Sequence, residues 1–140
     1  MFAEFDISSL PLVKVKFNTQ VKDVEDFDNF LRKWMAINNN KQEYSMFFDT
    51  TDIGIMNPKY ALRTASFIKE LKKLNQKYLK ESIVVVSNKY VRHLINFVLG
   101  FQKPSATVYI VDSCETGEEV YKNIISNSVV ENKNVSIFYP

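Results

Sequence analysis

Three short stretches of the chain are built mainly from apolar residues, and each stops at a polar pair before a segment with helical spacing begins. They are Tyr44 to Asp49, Ile83 to Val86 and Ala106 to Val111, followed by Asp49-Thr50, Ser87-Asn88 and Asp112-Ser113. A strand without polar alternation has no wet face, which is the mark of a parallel sheet covered by helices on both sides. Leu12 to Phe17 differs, with Val13, Val15 and Phe17 on one side and Lys14 and Lys16 on the other. That alternation predicts a strand at or near a sheet edge, with one face in water.

The intervening segments read as helices. From Val24 to Ile37 the residues Val24, Phe27, Phe30, Leu31, Trp34, Met35 and Ile37 recur at helical spacing, with Asp23 and Asp26 as N-terminal caps. Asn57-Pro58 opens a second helix expected to reach about Lys80, with Ala61, Ala65, Ile68, Leu71, Leu74 and Tyr78 as its inner stripe. Ser87-Asn88 caps a third from Lys89 to about Phe101, closed by Gly100 and Pro104. A fourth is expected from about Glu115 to Ser126, with Thr116 and Glu119 spaced as a capping box. Val135 to Tyr139, after the polar link Glu131-Asn132-Lys133-Asn134, supplies a possible extra C-terminal strand. Four successive β-α units imply an α/β domain with a mostly parallel sheet and flanking helices. At 140 residues they fill one domain, residues 1–140.

Composition narrows the function classes. With 18 Lys+Arg against 16 Asp+Glu the net charge is +2, too small for overall electrostatics to argue for nucleic acid. Three glycines, at 54, 100 and 117, allow neither a dinucleotide fingerprint nor a P-loop, so no cofactor is expected. Cys114 is the only cysteine, which fits a reducing compartment. The N-terminus has no basic region followed by an apolar stretch, and no run approaches the roughly 18 residues of a membrane span. The expected location is the cytoplasm.

The order of elements, with Phe47-Phe48-Asp49 closing the second strand, resembles the STAS-like group, which takes in anti-sigma-factor antagonists and the lipid-binding SEC14 (CRAL-TRIO) domains. The likeness runs from about Leu12 to Ile125 and rests on Leu12 to Phe17, Tyr44 to Asp49, and Val108 to Asp112 followed by Glu118-Glu119-Val120. It implies a regulatory or scaffolding module working through protein contact, or a small-molecule or lipid binder. Where the antagonists carry a phosphorylatable serine turn, this chain has Met56-Asn57-Pro58-Lys59, so the resemblance does not extend to that switch.

Ligands of open parallel sheets gather beyond the carboxyl ends of the strands, which selects Asn18, Asp49, Thr50, Thr51, Asp52, Ser87, Asn88, Asp112 and Ser113 as one rim. Asp49, Asp52 and Asp112 could hold magnesium, or these residues serve only caps and turns. His93 is the single histidine and has no sequence partner for catalysis, so an enzyme is not expected. Cys114 sits where a helix N-terminus could lower a thiol pKa, or, with no histidine partner in view, it is an inert thiol. Lys59, Arg63, Lys69, Lys72, Lys73, Lys77 and Lys80 form a basic face that suits phosphates of nucleic acid or lipid headgroups, or simply water. On the third helix, Val91, Leu94, Ile95, Val98 and Leu99 are expected to face the sheet, leaving Tyr90, Phe97 and Phe101 partly outward. An aromatic row of that kind marks a partner surface or a pocket lid, or else is buried against a neighbouring helix or the C-terminal segment. The expected function is therefore a non-catalytic module that contacts a protein partner or itself as a homo-oligomer.

Overall fold

The computed structural model describes residues 1–130 and 134–140. In chain order it contains β1 (Ala3–Ser9), β2 (Leu12–Phe17), α1 (Val24–Asn38), β3 (Tyr44–Asp49), α2 (Lys59–Lys73), β4 (Leu79–Val85), α3 (Lys89–Phe101), β5 (Thr107–Val111), α4 (Cys114–Ile125) and β6 (Ser136–Phe138). The strands form one sheet in the order of the chain, β1 to β6. β2 through β5 are parallel, and β1 and β6 pair antiparallel at the two edges. The chain is thus an α/β domain with four successive β-α units and a C-terminal strand. Of the polar link before β6, Glu131, Asn132 and Lys133 lie outside the described residues.

Two expectations need correction, and one strand is new. α2 ends at Lys73 instead of near Lys80, because Leu74 already takes an extended conformation. Leu74 is then 38% exposed, and Lys80 lies in β4. The cap of α4 is Ser113, whose hydroxyl accepts from the Thr116 N–H at 3.2 Å, so Thr116 and Glu119 are not its capping box. β1 was not anticipated; with it at the edge, β2 is the second strand, near the edge as its alternation implies.

Strand order decides where the helices go. Parallel crossovers are right-handed almost without exception, so when every step moves in the same direction each crossover helix falls on the same face. The first core cluster accordingly joins α1, α2 and α3, through Phe30, Trp34, Ile68 and Val98, to Val15, Met46, Val84 and Ile110 of the sheet. α4 leads to an antiparallel strand, to which the rule does not apply, and it covers the other face, packing Val120 against Phe47, Ile83, Val85 and Val111.

Much of the aromatic content sits in the first cluster. Phe17 and Phe30 lie 5.0 Å apart between ring centroids, Trp34 lies 5.1 Å from Phe48, and Phe67 is 4.8 Å from Trp34. The polar atoms among these rings are paired. Trp34 Nε1 donates to the Tyr44 hydroxyl at 3.2 Å, and that hydroxyl donates to Asn38 Oδ1 at 2.8 Å. Burial holds the Tyr44 phenol protonated, with its pKa pushed up to about 12.

Candidate functional site

The rim at the carboxyl ends of β2 to β5 is organised by Lys16. Parallel register places Lys16 opposite Asp49, and its ammonium lies 3.2 Å from both Asp49 Oδ2 and Asp52 Oδ2. Asp49 Oδ1 also accepts from the Thr51 N–H at 3.0 Å and the Thr51 hydroxyl at 2.7 Å. Burial by itself pushes the Asp49 carboxyl up, but the Thr51 and Lys16 hydrogen bonds outweigh it and hold the pKa below the usual value. The same two carboxylates raise the Lys16 pKa.

This arrangement is an ion cluster and not a metal cage. Asp49 and Asp52 share a lysine, and among the described residues no three acidic, histidine or cysteine side chains are placed to hold a metal ion. Asp112 is exposed. Other rim residues serve the backbone. Thr50 is buried and donates its hydroxyl to the Val85 carbonyl at 2.6 Å, Asn88 accepts from the Val91 N–H at 2.7 Å, and Ser113 caps α4. Ser87 and Asn18 are exposed, and the Asn18 amide reaches the Met1 carbonyl.

Cys114 is the first residue of α4, with its sulfur 3.6 Å from Asp49 Oδ2. Burial and the negative Asp49 raise its pKa, which agrees with an inert thiol and not with one activated by the helix N-terminus. His93 is exposed on α3, and among the described residues no hydrogen bond ties it to a serine or cysteine.

The basic face is partly neutralised. Arg63 pairs with Asp28 at 2.7 Å, Lys80 with Glu43 at 2.6 Å, and Lys77 donates to the Lys72 carbonyl at 2.9 Å. Lys59 lies over the Tyr60 ring. Lys69 and Lys73 are exposed and Lys72 is half-buried, with no carboxylate in ion-pair range among the described residues.

α3 carries the exposed aromatics. Val91, Val98 and Leu99 are buried, as the helical spacing requires. Tyr90 is half-buried and its hydroxyl donates to the Met56 carbonyl. Phe97 and Phe101, one turn apart, are 51% and 71% exposed and stack on one another at 6.3 Å with a 13° interplanar angle.

Sequence gave no sign of the last feature, an apolar cavity of about 170 Å³ between the helical layer and the sheet. Phe17, Phe27, Phe48, Tyr60, Ile95 and Val98 contribute to its walls, and no charged side chain lines it. Among the described residues no helix is long and apolar enough to cross a membrane. No family model matches the chain, and a search of curated proteins finds no match.

Proposed function

We propose that the chain is a non-catalytic regulatory or scaffolding module of STAS-like type that works by self-association through the outer face of α3. The stacked Phe97–Phe101 pair carries this reading, since two large rings left in water on one helix are the usual core of a contact surface. A two-fold contact presents the pair twice, so four rings leave water together. Each ring contributes at most about 3 kcal/mol, against an association cost of roughly 4–15 kcal/mol. The expected complex is therefore a weak, concentration-dependent dimer. Sedimentation velocity over a wide concentration range tests it: the wild type should shift toward dimer, and Phe97→Ser with Phe101→Ser should hold it monomeric at an unchanged melting temperature. A wild type that stays monomeric throughout ends this reading.

A second reading, small-molecule or lipid binding, is favoured by the cavity under the helical layer. Its 170 Å³ falls below the roughly 300 Å³ at which ordinary ligand pockets begin, which weighs against a lipid and toward a smaller guest.

A further inference from the structure

The cavity has a chemistry narrow enough to name its guest. We infer that it takes a small, uncharged aromatic molecule of single-ring size that carries one neutral hydroxyl, phenol being the type; this rests on the second reading above. Size comes first. An apolar cavity of about 150 Å³ admits benzene, and 170 Å³ leaves room for one ring with a small substituent but none for a phospholipid. Charge is the second filter. With no Lys, Arg, His, Asp or Glu in the walls, an ionised guest would lose its hydration with nothing to replace it. The surrounding Phe17, Phe27, Phe48 and Tyr60 rings offer the faces and edges against which an aromatic guest packs best.

The third filter is polarity. Thr50, Thr64, Ser82 and Ser105 all bring a hydroxyl to the cavity lining. Thr50 and Thr64 commit the proton to backbone carbonyls, Val85 at 2.6 Å and Tyr60 at 2.8 Å, and keep lone pairs that accept. The serine hydroxyls can donate as well as accept. A guest with one neutral hydroxyl suits either kind of partner, whereas benzene suits neither.

The full chain is titrated with benzene, phenol, benzoate and dodecanoate while the melting temperature and the methyl NMR signals of Val91, Val98 and Ala106 are followed. Benzene and phenol should both raise the melting temperature and shift those methyls, with phenol binding roughly fivefold tighter, as one neutral hydrogen bond provides. Benzoate and dodecanoate should leave both readouts unchanged. Thr50→Val, Thr64→Val, Ser82→Ala and Ser105→Ala, made separately, identify the partner: in one of them phenol should fall to the affinity of benzene, with benzene unaffected. Equal binding of benzene and phenol by the wild type overturns the preference for a hydroxyl while leaving the small-molecule reading intact. Binding of benzoate or dodecanoate as tightly as phenol overturns the filters of charge and size. No response to benzene or phenol overturns this inference and the second reading together.

Discussion

At the scale of the residue, Asp49 is where the fold's electrostatics concentrate. Its side chain is 17% exposed and faces the Lys16 ammonium, itself 48% exposed. Solvent screening limits such a pair to about 0.5–1 kcal/mol. Because the folded-state pKa is depressed below the ordinary 3.8, the unfolded chain takes up this proton first as the solution is acidified. The contribution is therefore fully present above about pH 4 and fades as the pH falls through the lower, folded value. Asp49→Asn keeps an acceptor for Thr51 and removes the charge. Urea denaturation should find the variant less stable by up to about 1 kcal/mol at pH 7, with the gap closing at pH 3. A gap that stays equal at both pH values would show that shape, not charge, is what Asp49 supplies.

At the scale of the element, α4 shows how closely one helix can approach a sheet when a side chain is omitted. A Cβ on Gly117 would lie 2.9 Å from two carbons of the Phe47 ring and 3.3 Å from the Ile83 side chain. Phe47 and Ile83 are 5% and 0% exposed, so neither can swing away. Gly117→Ala gains about 1 kcal/mol of helix propensity but incurs roughly 1–3 kcal/mol of overpacking. A lowered melting temperature is expected, and a raised one would mean that α4 is free to ride up off the sheet. Elements whose burial shows in their own spacing were legible: β3, with no polar alternation, and α3, with Val91, Val98 and Leu99 on one stripe. Features that depend on a neighbour were not. Phe5 and Ile7 alternate with Glu4 and Asp6, yet Ile7 is 56% exposed, and β1 exists because β2 offers it a partner. Lys16 read as part of a wet face, since its approach to Asp49 depends on a parallel register that no local pattern encodes.

At the scale of the whole molecule, the cavity and the abundance of aromatic residues follow from one geometric mismatch. Each crossover advances the sheet by one strand, about 4.8 Å, while packed helices need 8–10 Å between axes. Strands in sequential order send α1, α2 and α3 to one face, where they cannot each sit above their own pair of strands. Helices forced wider than the sheet beneath them leave volume under the layer. Phe17, Phe30, Trp34 and Phe48 fill most of it, and about 170 Å³ remains. Ala61, on α2, is 7% exposed and lines what is left, so a larger side chain there points to the void as its natural place. Ala61→Leu should bury added apolar surface against these walls, raising stability by roughly 1–2 kcal/mol. For a chain of this length that is on the order of 3–8 °C in melting temperature. The same variant should no longer be stabilised by phenol, because the added leucine occupies the guest's volume. A melting temperature that falls instead, by the 1–3 kcal/mol typical of an overfilled core, would mean that the helices already meet the sheet at Ala61 and that the mismatch is relieved elsewhere.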